Sequence, residues 1–169
     1  GDGALGHGTD ENELSPRRVE GALAEERVVA VAAGESHTVV LTEGGAVFTF
    51  GYDHLGHGDE EEQLAPRRVE ALAGLRVARV AAGDYHTAVL TEDGVVLTFG
   101  DNGSGQLGRD TEEDQDSLPG EVELEALAGE RVVGLTAKGF RTGVVTSSGR
   151  LVAFGLDEEE GGAVQELPE

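Results

Sequence analysis

Four groups of residues have types and spacings that could do chemistry. GSGQLG at 103–108 and GDGALG at 1–6 both fit G-x-G-x-x-G, the spacing with which a strand-to-helix turn lets backbone N–H groups approach a pyrophosphate. His54 and His57 stand three apart and are followed by Asp59, Glu60, Glu61 and Glu62, a set of nitrogen and oxygen ligands that zinc or a similar metal would accept. His37 and His86 each precede a threonine at the start of a candidate strand, where an imidazole could act as acid or base. Asn102-Gly103-Ser104 is a glycosylation sequon that matters only in a secreted chain.

What must position these residues is an internal repeat. VAAGESHTVVLTEGGAVFTFG (31–51) returns as VAAGDYHTAVLTEDGVVLTFG (80–100) and, more worn, as LTAKGFRTGVVTSSGRLVAFG (135–155), at offsets of 49 and 55 residues. Each copy is preceded by SPRRVE (15–20), APRRVE (65–70) or LPGEVE (118–123), and before that by ALGHG (4–8), HLGHG (54–58) or QLGRD (106–110). The units are 1–51, 52–100 and 101–155, and residues 156–169 open a decayed fourth. HTVVLT and GAVFTF alternate as strands do and are joined by Gly-containing turns of the hairpin type. VVAVAAG, a continuous small apolar run, suits a strand buried on both faces, and the Ala-Gly breaks at 73–74 and 128–129 argue for a turn where GALAEERVV might otherwise be read as helix. A unit of about 50 residues with three or four strands is the size of a propeller blade, and helical periodicity is missing. The expected fold is therefore all-β: one partial propeller over 1–169, about three four-stranded antiparallel blades forming an incomplete ring.

The repeat weakens each chemical reading. The glycine run at 103–108 is followed by RDTEEDQD, which would repel phosphate and carries no apolar helical stripe, so a Gly-rich loop between blades is expected. His57 shares its slot with His7 and Arg109, and His54 with Ala4 and Gln106, so neither is required by the unit; surface loop residues and no metal are expected. His37 and His86 are expected to be structural, each imidazole bonding backbone of its own or the neighbouring blade, and Phe50, Phe99 and Phe154 are the matching closing aromatics. No nucleophile elbow surrounds Ser36, and no catalytic residue or cofactor is expected.

These residues resemble the regulator of chromosome condensation repeat: GDNGSGQLG (100–108), Pro16–Val19 and Pro66–Val69, AAG-x-x-His-Thr (32–38, 81–87), the Leu-Thr-x-x-Gly hairpins and the closing Phe-Gly of 50–51, 99–100 and 154–155. The resemblance implies a seven-bladed β-propeller. It departs in using Phe where the family has Trp or Tyr, in placing Arg141 where His37 and His86 stand, and in a loop after Gly51 three residues shorter than that after Gly100. The lack of Trp excludes the family's light-sensing activity. An open arc of three blades would expose two sheet faces, to be covered by the remaining blades of a longer propeller or by a second copy of the chain.

Composition narrows the function classes. Twelve Lys plus Arg against 34 Asp plus Glu give a formal charge of −22, which disfavours nucleic acid and anionic membrane surfaces. There is no Cys, and no run is long enough for a transmembrane helix; the chain reads as soluble, with an intracellular location favoured. Glycine at 27 residues with only four prolines fits tight turns between strands. Sixteen of the 34 acids follow the LG-type element: Asp10, Glu11 and Glu13; Asp59, Glu60, Glu61 and Glu62; Asp110, Glu112, Glu113, Asp114 and Asp116; Asp157, Glu158, Glu159 and Glu160. In a propeller, loops at one repeat phase leave the same rim, so these acids are expected to line one edge suited to a basic protein partner. The expected function is a non-catalytic scaffold for protein–protein interaction. The resemblance also offers guanine-nucleotide exchange on a small GTPase, although no wedge-like insertion interrupts the units, and a secreted propeller that inhibits an enzyme.

Overall fold

The computed structural model describes residues 2–52, 54–111, 114–122 and 129–156. Its strands form three antiparallel sheets. The first contains β1 (Val28–Ala33), β2 (His37–Thr42), β3 (Val47–Gly51) and β4 (Gln63–Arg68) in that order. The second repeats it with β5 (Val77–Ala82), β6 (His86–Thr91), β7 (Val96–Asp101) and β8 (Gln115–Glu121). The third contains β9 (Val132–Lys138), β10 (Arg141–Thr146) and β11 (Leu151–Gly155) among the described residues. These sheets are propeller blades, and the protein is all-β. Short 3-10 turns at Gly21–Leu23 and Glu70–Leu72 stand where the Ala-rich segments precede β1 and β5.

The Leu-Thr-x-x-Gly motif makes the hairpins. Thr42, Thr91 and Thr146 end the second strand of each blade, and their hydroxyls accept the N–H of Ala46, Val95 and Arg150 at 3.0–3.2 Å. The carbonyl of the same threonine takes the N–H of Gly45, Gly94 or Gly149. Those glycines sit at φ 82–89°, a region a Cβ disfavours.

The blades are out of phase with the sequence units. The LG loop and the Pro-x-x-Val strand that open one unit complete the sheet before it, since β4 pairs with β3 and β8 with β7. Each unit therefore laces two blades together. Among the described residues, 13–20 pair with no strand, because the sheet they match would lie before β1.

The VVAVAAG run differs from the expectation of a strand buried on both faces. Val29 and Val31 in β1 are 54% and 67% exposed, and in β5 only Val77 and Ala81 are buried while Ala78 and Arg79 are exposed. In each blade this is the first strand of its sheet, and in the first blade one face has no neighbouring sheet among the described residues. In the first two blades burial is instead concentrated in the second and third strands, and β6 is buried throughout. One core joins the first two blades through Val39, Leu41 and Val47 against Val89 and Phe99. A second joins the next pair through Leu90 and Val96 against Val132 and Val144.

Candidate functional site

The residues singled out by the repeat meet between blades. His37 Nε2 lies 2.9 Å from Thr87 Oγ1 of the second blade, and His86 Nε2 lies 2.8 Å from Thr142 Oγ1 of the third. Each histidine thus meets a threonine hydroxyl of the neighbouring blade, and a hydrogen bond to the backbone of that same blade accompanies it, at Asp84 for His37 and at Arg141 for His86. Thr142 donates its own proton to the Gln106 carbonyl at 2.8 Å, so its oxygen must accept from His86, which fixes the Nε2–H tautomer. Both imidazoles are buried, and burial holds each at about 4, well below the ordinary 6.5. They are neutral structural pins at neutral pH.

Glycine and phenylalanine complete the joint. A Cβ on Gly6, Gly56 or Gly108 would stand 2.7, 2.8 or 2.5 Å from the ring of Phe50, Phe99 or Phe154. Each LG loop therefore lies flat on the closing aromatic of the next blade. Thr49 and Thr98 tie the same loops to their own blades by donating to the Leu55 and Leu107 carbonyls at 2.7 Å. Gly6 and Gly108, which end the two glycine runs, serve this packing, and among the described residues no helix opens after 103–108 of the kind a dinucleotide site needs.

His57 and Arg109 fill one slot by different means. His57 Nε2 lies 3.0 Å from Thr49 Oγ1, while nearby Arg67 on β4 pairs with Asp59 at 2.9 Å. In the next blade Arg109, its side chain 9% exposed, pairs with Asp116 at 2.9 Å and donates to the Thr98 carbonyl. Gly120 replaces Arg67 there, and a Cβ at Gly120 would collide with the Arg109 guanidinium. The cation has moved from strand to loop, and the strand has given up its side chain to admit it. His57 is held low, at about 4, by burial and then by Arg67. His54 takes φ 30° and lines a small recess with Tyr52, Glu60 and Gln115. Among the described residues no three His, Asp or Glu side chains come together as metal ligands. Asn102 of the sequon is engaged internally, donating to Thr111 Oγ1 and the Arg109 carbonyl and accepting from Leu107 N–H.

Register sets where the acids lie. Gly51 pairs with His37 and Gly100 with His86, so the loops after β3 and β7 leave from the end of the blades that carries the β1–β2 and β5–β6 turns. Asp10, Glu11, Glu60, Glu61, Glu62, Asp110 and Asp114 are exposed, and Gln115 Nε2 donates to Glu60 Oε1 between adjacent loops. Glu13 is engaged by Arg17, Asp59 by Arg67 and Asp116 by Arg109; the Arg67 hydrogen bond holds Asp59 below its usual range. Glu112, Glu113, Asp157, Glu158, Glu159 and Glu160 lie outside the described residues.

Blades laced in this way define a β-propeller repeat protein. The profile of the regulator of chromosome condensation (RCC1) repeat matches residues 1–41, 44–90 and 93–137, and a second RCC1-repeat profile matches 28–56 and 77–106. The chain belongs to the RCC1 repeat family. It is 49% identical over 53 residues to Protein RCC2 homolog of Danio rerio, covering 31% of this chain and 10% of that protein. It is 54% identical over 52 residues to Regulator of chromosome condensation of Xenopus laevis, covering 30% and 12%. Human WBSCR16 superposes with a TM-score of 0.82 at 24% identity, covering 99% of this chain and 44% of that one. Yeast RCC1 (Prp20), crystallised bound to Kap60, superposes with a TM-score of 0.69 at 26% identity, covering 83% and 32%. The chain thus spans less than half of these solved chains and about a tenth of these curated relatives. No described helix is long and apolar enough to cross a membrane.

The seam histidines give stability a pH dependence. Unfolded histidine takes up a proton near 6.5 and the folded seam only near 4, so between these values the unfolded state binds more protons. Unfolding free energy measured in urea is expected to fall by roughly a few kcal/mol as pH drops through this window. The chain with His37→Gln and His86→Gln is expected to lose that component of the slope. The Arg109 slot gives a second expectation. Gly120→Ala is expected to cost about 1–3 kcal/mol in the native background, and less than half as much alongside Arg109→His; equal costs in the two backgrounds would contradict the exchange.

Proposed function

We propose that the chain is a non-catalytic propeller scaffold for protein–protein interaction, with an acidic end that docks a basic partner. The observation that carries this is the shared exit of the acidic loops beside the β1–β2 and β5–β6 turns. Exposed carboxylates on successive loops sum to a field that steers a cationic partner and weakens as salt screens it. Related proteins engage other proteins: yeast RCC1 is described as bound to Kap60, and Prp20p as binding Gsp1p and histones. What passes to this chain is protein engagement, with the partner's charge read from its own loops. The open face of the first blade, a groove of about 740 Å³ lined by Leu5, Leu14, Val31, Val40 and Phe50, is covered by further blades or by a second copy of the chain.

Position must be separated from net charge. Glu60→Gln/Glu61→Gln/Glu62→Gln removes three charges from the acidic end, and Glu25→Gln/Glu26→Gln/Glu43→Gln removes three from the opposite end. Titrated at low salt with a labelled octalysine peptide, the first variant is expected to bind several-fold more weakly than the native chain and the second to change little. Equal losses would mean that only net charge matters and would overturn the reading.

A further inference from the structure

The two seams show what one blade must bring to the next. On the giving side stand a Gly-x-x-His turn, Gly34 with His37 or Gly83 with His86, and a third-strand threonine, Thr49 or Thr98, that donates to the carbonyl of the LG-loop leucine. The glycine is required there. A Cβ on Gly34 or Gly83 would collide with the imidazole and stand 2.5 or 2.6 Å from a carbonyl in the next blade's turn. On the receiving side stand the threonine that meets the histidine and the leucine itself; Leu55 and Leu107 are 3% and 0% exposed.

The first blade carries this whole receiving side with no sheet against it among the described residues. Thr38 Oγ1 donates to the Ala4 carbonyl at 2.8 Å, as Thr142 does to that of Gln106. Its oxygen is thereby left an acceptor at the position where Thr142 takes His86. Gly6 already lies on Phe50, yet Leu5 is 45% exposed and Val31 is open on the same face. These side chains line the groove of about 740 Å³. Residues 13–20, which hold a Pro-x-x-Val segment, also lack the third strand that β4 and β8 find in β3 and β7. The chain's own third blade does not offer the giving side. Lys138 stands at the position of Gly34 and Gly83, Arg141 at that of His37 and His86, and Ala153 at that of Thr49 and Thr98. A second copy set head to tail would bring a side chain where the turns admit no Cβ, and no hydroxyl for the Leu5 carbonyl.

We infer that the open face of the first blade is a docking surface for a blade of the same repeat that carries Gly-x-x-His and a third-strand threonine, and that it excludes a second copy of this chain. The inference rests on the reading above that this face is covered, and it decides between the two covers that reading leaves. What carries it is continuity with the seams, where the same receiving residues are filled in this way twice. Such a blade supplies at once an imidazole for Thr38, apolar cover for Leu5 and Val31, and a strand edge for residues 13–20.

Sedimentation equilibrium compares the native chain with Lys138→Gly/Arg141→His/Ala153→Thr, which gives the third blade the giving side at three exposed positions. The native chain is expected to stay monomeric, and the variant to associate head to tail at least about ten-fold more tightly. Adding Val31→Glu, an exposed change in the groove, is expected to abolish that gain, and adding Thr38→Val to weaken it several-fold. If the native chain associates through the groove as tightly as the variant, a second copy is the cover and the inference is wrong while the reading beneath it stands. A variant no tighter than the native chain likewise overturns the inference. If the gain survives Val31→Glu, the groove is not the surface that is covered, and both fall.

Discussion

The structure depends on one joint, the contact by which a blade holds its neighbour. At each seam a buried neutral histidine meets a threonine hydroxyl of the next blade, and an LG loop lies on that blade's closing phenylalanine. Neither part works alone. The loop can approach the ring only because glycine has no Cβ, and at the second seam the Thr142 hydroxyl receives His86 because its own proton goes to the Gln106 carbonyl of the loop. The polar bond aligns blades whose apolar faces would otherwise slide, and the apolar packing keeps water from the bond.

The joint also sets where function can reside. Because the third strand of each blade ends beside the start of the second, the connecting loop must leave from the end of the β1–β2 turn before folding over the seam. Its lower part is committed to packing and to the Asp59–Arg67 and Asp116–Arg109 pairs. Among the described residues its remaining acids are solvent-facing, so the same loop that closes a seam presents charge. Stability and the proposed recognition thus draw on different residues of one segment.

Much of this was legible in the sequence because the joint repeats. Gly, His, Thr and Phe recur at one phase, and that phase alone established propeller blades and marked His37, His86 and the three closing phenylalanines as related positions. The histidine's partner was not legible, because it lies about 50 residues away in another blade. Nor was the Arg109–Gly120 exchange: each residue looks like an isolated departure until the guanidinium is seen filling the space the glycine leaves. The exposure of β1 was missed for a similar reason, since an apolar run does not say whether a neighbouring sheet covers it.

A double-mutant cycle on His86 and Thr142 measures the joint most directly. Urea unfolding of His86→Ala, Thr142→Val and the double variant, at a pH where both histidines of the seams are neutral, yields their coupling free energy. If the joint organises the arc, the coupling is about 1–2 kcal/mol, and the double variant costs less than its two parts together. If the costs add to within about 0.3 kcal/mol, the two blades do not communicate through this bond, and the account of how the arc is held fails.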